Sequence, residues 1–122
     1  MTSGAIPQWF DPGLLFPFYA VEGHERIGFV LQPGEVLETE NICHEPENGF
    51  DFREEDLKIL SPKAYAAWHT HPGVSSNLTE EDRQGFLSYP DLVHYIIGTD
   101  GATSYYIHRG SVIRGETYPF SG

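Results

Sequence analysis

His69 and His71 follow directly on the apolar run Ala64-Tyr65-Ala66-Ala67-Trp68, and Asp82 comes eleven residues after the second of them. The run predicts a buried strand. Residues i and i+2 of a strand share a face, so both imidazoles point to one side, close enough to share a metal ion. Pro72 ends the strand just beyond them. Thr79-Glu80-Glu81-Asp82 has the pattern of a helix N-terminus, with Thr79 as cap and Asp82 in the first turn. The polar loop between is long enough to fold that carboxylate back towards the histidines. Two histidines, an aspartate and a water complete a tetrahedral zinc site with an open catalytic position. Each half also has a plainer explanation. Thr79-x-x-Asp82 is the signature of a capping box, and two strand histidines can be satisfied by hydrogen bonds alone.

Elements on both sides must hold this stretch in place. Residues 26–32 predict a strand ending at the Pro33-Gly34 turn, and residues 35 to about 42 a second, half-buried one, together a hairpin. Residues 43–48 are polar, Pro46 and Gly49 limit regular structure, and Phe50 and Phe52 anchor a short extended segment around Asp51. Leu57 and Leu60 at helical spacing place a helix over 53–60, which Ser61-Pro62 stops. Residues 79–89 form a helix with Phe86 and Leu87 towards the core, closed by Pro90. Strands over 92–98 and 103–108 flank a Thr99-Asp100-Gly101 turn, and Gly110 permits a last strand over 111–114.

At the N-terminus, residues 1–13 read as an irregular arm whose Trp9 and Phe10 pack onto the domain or a partner. Pro17 leaves at most a short helix, starting near it, in the apolar stretch 14–21. Residues 116–122 read as an irregular tail. His94 and His108 belong to no ligand-spaced pair and read as structural or solvent-facing. Trp68 and the loop 73–78 are candidates to shape a cleft, Trp68 equally to fill the core. Strands mixed with two to three helices give an α/β domain around a mixed central sheet.

The 122 residues suffice for one domain, 1–122, with a substantial core. A net charge of −11, from 18 acidic against 7 basic residues, repels phosphate backbones and anionic membrane surfaces, which argues against nucleic-acid binding. Cys43 is the single cysteine, so neither an internal disulfide nor a cysteine-rich zinc module is available. It reads as a small packing residue; a thiol nucleophile would need a polarising partner, and His44 beside it would point to the opposite face of a strand. No apolar run is long enough to span a bilayer and no export signal is recognisable, so a soluble chain is expected.

The order His69-x-His71, seven residues, Thr79, two residues, Asp82 resembles the metal motif of the JAMM (JAB/MPN+) metallopeptidases. Members of that family also carry a glutamate shortly before a Gly-containing apolar strand, and Glu25-Arg26-Ile27-Gly28-Phe29-Val30-Leu31 supplies it. Glu22 competes for that role, but the distance from Glu25 to Gly28 matches the family pattern. The resemblance implies a JAB/MPN (cytidine-deaminase-like) domain. It also implies zinc on His69, His71 and Asp82, with Glu25 as general acid-base across from the metal, and hydrolysis of a peptide or isopeptide bond in a protein or peptide substrate. Thr79 occupies the position of a family serine whose hydroxyl helps hold the oxyanion; here it is either that donor or a helix cap alone.

Over roughly residues 25–115 the chain further resembles the N-terminal domain of the bacteriophage tail assembly protein K family, through the run from Asn41 to Pro46, Phe50-Asp51 and the helix of Asp56. This implies phage tail-tip proteins as partners and a place in the virion tail, or in the host cytoplasm during assembly. The cell-wall peptidase domain that commonly follows in those proteins is not expected within these residues. Two other readings stay open: a stand-alone prokaryotic JAMM peptidase acting on ubiquitin-like or sulfur-carrier proteins, and a non-catalytic structural tail component.

Overall fold

The computed structural model describes residues 6–120 and builds one mixed sheet from six strands, in the order β2-β1-β3-β4-β5-β6. The strands are β1 (Ile27–Leu31), β2 (Glu35–Thr39), β3 (Ala64–Thr70), β4 (Val93–Gly98), β5 (Gly101–His108) and β6 (Ser111–Tyr118). Helix α1 (Glu54–Leu60) precedes β3, and helix α2 (Glu80–Leu87) lies between β3 and β4. All neighbouring strands are antiparallel except β3 and β4, the one pair whose connection has to cross over. That crossover is the stretch carrying Pro72 through α2. The fold is therefore mixed α/β, with two α-helices and a 3-10 helix over Pro12–Phe18.

Strand alternation sorts the apolar side chains onto two faces. Val30, Ala66, Trp68, Val93, Tyr95 and Ile97 form one face, covered by Phe10, Leu15 and the aromatic rings of the N-terminal segment. On the other face Phe29, Ala67 and Leu92 pack against Phe52, Leu57 and Leu60, while Ile96, Tyr105 and Ile107 pack against Phe86 of α2. Both α-helices thus share the face on which His69 lies. Gly28 is paired with Trp68, and a Cβ there would overlap the Leu37 carbonyl and lie 2.6 Å from the indole. The missing side chain lets β1 lie close to the largest residue of β3.

Three expectations are corrected. The N-terminal helix starts at Pro12, not near Pro17, because Asp11 caps it by accepting a hydrogen bond from Gly13 N at 2.9 Å and Pro12 presets the first φ. Pro17 is accommodated inside that 3-10 helix. Strand β6 runs on to Tyr118, so Glu116, Thr117 and Tyr118 belong to the sheet and not to an irregular tail. A register shift between Thr103 and Tyr105 restores pairing past Gly115, and Ser104 Oγ accepts from Glu116 N at 3.1 Å. The third is the loop expected to shape the cleft, described below.

Both aromatic ends fold back on the domain. Phe10 is buried, Trp9 meets Tyr65 edge-on at 5.3 Å, and Phe120 packs on Phe16 and Tyr19. Residues 1–5 of the expected arm and 121–122 of the expected tail lie outside the described residues. Among the described residues no helix is long and apolar enough to cross a membrane.

Candidate metal centre

The pairing of β1 with β3 brings Glu25 to the histidines. Ile27 is opposite His69 in this antiparallel ladder, and continuing the register sets Glu25 across from His71, on the same face. The junction is locked from both sides, since Thr70 N donates to Arg26 O and Arg26 N donates to Thr70 Oγ1, each at 2.9 Å. His71 lies just beyond β3, yet its N–H donates to Ile97 O at 2.7 Å, extending the parallel ladder with β4 by one more bond. The two imidazoles therefore stand at the carboxyl ends of two adjacent parallel strands, where crevices form in open α/β sheets.

The loop that follows is held so that α2 returns its first turn to this point. Ser76 N and Oγ both donate to Asp100, at 2.8 and 2.9 Å, and Tyr105 Oη donates to Ser76 O at 2.7 Å. Gly98 underlies the loop, and a Cβ there would overlap the backbone of Ser75 and Ser76. Thr79 caps α2, its Oγ1 accepting from Asp82 N at 3.1 Å. A hydroxyl that accepts keeps its own hydrogen, so the cap leaves Thr79 a donor.

Asp82 then reaches both histidines. Its two oxygens lie 3.2 Å from His69 Nε2 and 3.0 Å from His71 Nε2, and the two ring nitrogens are 3.2 Å apart. Donor atoms around a tetrahedral metal with bonds of about 2.0–2.1 Å are separated by about 3.3 Å, which is close to the spacing of the two ring nitrogens, with one Asp82 oxygen beside each of them. His71 Nδ1 is 2.9 Å from Ser75 O. A carbonyl only accepts, so Nδ1 carries the hydrogen and Nε2 faces the centre, the orientation that a metal-binding histidine needs. Glu25, His69 and His71 also form a buried group able to hold a metal ion, with ligand atoms within 4.8 Å of one another. Glu25 is thus near enough to serve either as a neighbouring base or as a further ligand.

Burial and the Asp82 carboxylate set the protonation of the donors in opposite senses. Burial pushes His69 below its ordinary pKa, against the pull of Asp82, and keeps it neutral. Burial acts in the same sense on His71, but its hydrogen bonds to Asp82 and Ser75 prevail and raise it. For Asp82 burial raises the pKa, and the charge and hydrogen bonds of the histidines outweigh it, holding the carboxylate well below the usual range. Asp82 and His69 are thus in the state that metal binding requires, while His71 would give up a proton to a metal. Glu25 is different. Burial pushes it from 4.5 up to about 7; His71 opposes the rise, while Asp82 and Glu81 add to it. A carboxylate poised there can take and return a proton near neutral pH.

The sequence reading assigned no role to Asn41, which turns out to hold Glu25 in place. Its Nδ2 donates to Glu25 O at 2.8 Å and to Gly49 O at 3.0 Å, and its Oδ1 accepts from Cys43 N at 3.1 Å and Asp51 N at 3.0 Å. Glu25 N donates to Pro46 O at 2.7 Å, so the backbone of Glu25 is fastened at both ends. The available signal was an Asn ahead of a polar, Pro-containing stretch, which favours a side-chain turn to the residue two positions on.

Beside the donors lies a cleft of about 450 Å³. It is lined by residues 48–52, Leu57 and α2, and by none of residues 73–78, which are tied to the β4–β5 turn through Val74 and Ser76. Trp68 proves to be core, its ring against Phe18 at 4.6 Å on the opposite face. His94 is buried at the edge of the cleft, stacked on Phe86 at 4.2 Å with Nε2 at 3.0 Å from Tyr89 O, while His108 is exposed. Glu22, the rival of Glu25, is exposed. A scan against protein-family models finds no match for this chain, and a search of curated proteins finds none either.

Proposed function

We propose that this chain is a zinc-dependent metallopeptidase of the JAMM type that hydrolyses a peptide or isopeptide amide. One observation carries the reading: His69, His71 and Asp82, spaced as that motif requires, converge to 3.0–3.2 Å with Glu25 buried beside them. A crossover helix returning to the ends of β3 and β4 supports the JAB/MPN arrangement that the motif implies.

His69, His71 and Asp82 would hold the metal, which supplies Lewis acidity to acidify a water and polarise the amide carbonyl. Glu25 takes the proton of the attacking water and returns it to the leaving amine, acting in turn as general base and general acid. Thr79 Oγ1, held as the helix cap, offers its free hydrogen to the oxyanion that develops at the carbonyl. Asn41 and Pro46 keep Glu25 from retreating, since both its backbone groups are engaged. A setting in a phage tail draws its support from the resemblance over Asn41 to Pro46, Phe50-Asp51 and the Asp56 helix, the segments that frame Glu25 and the cleft.

The test begins with elemental analysis of purified wild type beside His71→Ala, followed by a peptide and isopeptide substrate screen with Glu25→Gln as control. About one zinc per wild-type chain, lost in His71→Ala, with hydrolysis abolished and zinc retained in Glu25→Gln, is the expected result. Failure of the wild type to take up zinc that is added back would overturn the proposal.

A further inference from the structure

The cleft continues past the metal donors, and its far part has a chemistry of its own. Phe50 lies against the His69 ring at 4.3 Å and meets Phe52 edge-on at 5.7 Å. Beyond them Leu57 of α1 and Leu92 ahead of β4 line the same space, with half-exposed Tyr89 at its rim. Glu25 and Asp82 belong to the metal centre, and the other acidic groups on the lining are Asp51 and Glu81. No lysine or arginine lines it among the described residues. The whole cleft, metal donors included, measures about 450 Å³, within the range of about 300–1,000 Å³ of pockets that enclose a small ligand.

We propose that this part of the cleft is a subsite for a large apolar side chain, leucine-like or aromatic, on the substrate residue next to the scissile amide. The inference rests on the hydrolase reading above and adds the substrate class. Two forces set the preference. An apolar side chain entering between Phe50, Phe52, Leu57 and Leu92 leaves water for a wall of the same character. Away from the metal donors the lining offers an acidic side chain only the carboxylates of Asp51 and Glu81, and no lysine or arginine to pair with it.

The experiment digests a proteome-derived peptide library with the zinc-loaded protein and reads the cut sites by mass spectrometry. Leu, Ile, Phe and Met are expected at one position flanking the cut, favoured at least about tenfold over Gly, with Asp and Glu depleted there. Leu57→Trp, which fills the subsite, is expected to erase that preference at unchanged zinc content, and Leu57→Ala to shift it towards aromatic residues. A second readout needs no turnover. N-acetyl-leucine amide should perturb the Leu57 and Leu92 methyl NMR signals of the metal-free protein, while the glycine and aspartate analogues should not. Cuts without apolar enrichment, or equal perturbation by all three amides, would overturn the subsite and leave the hydrolase reading standing. No cuts at all by a chain holding one zinc would overturn the hydrolase reading and the subsite with it.

Discussion

Replacing Glu25 with glutamine should stabilise the metal-free protein, and only on the alkaline side. Burial raises the Glu25 carboxyl from 4.5 to about 7, so the folded chain keeps a proton that the unfolded chain has already released. Between those values the folded state binds more protons, and stability declines as pH rises through the window. Below about 4.5 the carboxyl is neutral in both states and contributes nothing; above about 7 the full cost of a buried charge is present. A shift of that size corresponds to about 3 kcal/mol, and solvation at the mouth of the cleft reduces it to about 1–2 kcal/mol.

Glutamine carries no charge to bury, so Glu25→Gln should match wild type at about pH 5 and exceed it by about 1–2 kcal/mol at about pH 8. In a domain of this size that is a rise in Tm of about 4–8 °C. The assay is urea or thermal unfolding of both proteins with a chelator present, because metal bound to the folded state would add its own stabilisation. Loss of the Glu25 charge also removes one of the pulls that raise His71, so the comparison reads the coupled pair rather than Glu25 alone. An equal difference at the two pH values, or a variant weaker at the higher one, would refute the argument that a desolvated carboxylate is held at this position. A confirmed gain would mean that the residue most needed for chemistry is one the fold would be more stable without.

Other substitutions test the supports around the centre. Asn41→Asp keeps the oxygen that accepts from Cys43 and Asp51 but loses the donors to Glu25 O and Gly49 O, so it should cost about 1–3 kcal/mol in a denaturant titration with zinc content unchanged. Gly28→Ala forces a methyl into the Leu37 carbonyl and the Trp68 ring; a loss of at least about 1–3 kcal/mol and a changed tryptophan emission are expected. Thr79→Ala removes the cap bond to Asp82 N and should cost about 1 kcal/mol in the same titration while one zinc per chain is retained.

Much of the centre was legible because it is written in local spacing. His69 and His71 share a face through the two-residue period of a strand, and Thr79 and Asp82 meet through the geometry of one helical turn. Apolar runs bounded by Pro and Gly marked all six strands and both α-helices to within a few residues. Where the alternation broke, as at Gly115, the end of β6 was misread, because a bulge opposite Ser104 keeps the ladder going in a way one strand's own sequence does not reveal.

What only the tertiary structure decided is everything that depends on one segment meeting another far along the chain. Glu25 faces His71 because Ile27 pairs with His69, in a register that sets Gly28 against Trp68; the motif implied that placement, and strand pairing makes it. The wall of the cleft comes from residues 48–52 and not from the loop beside the histidines, because Asn41 ties that segment to Glu25 while Ser76 ties the loop to Asp100. The raised pKa of Glu25 follows from the same packing, since desolvation is a property of what surrounds a carboxylate in space. Local periodicity sets which side of its own element a side chain occupies; which groups then share a site is set by strand pairing and by hydrogen bonds between distant segments.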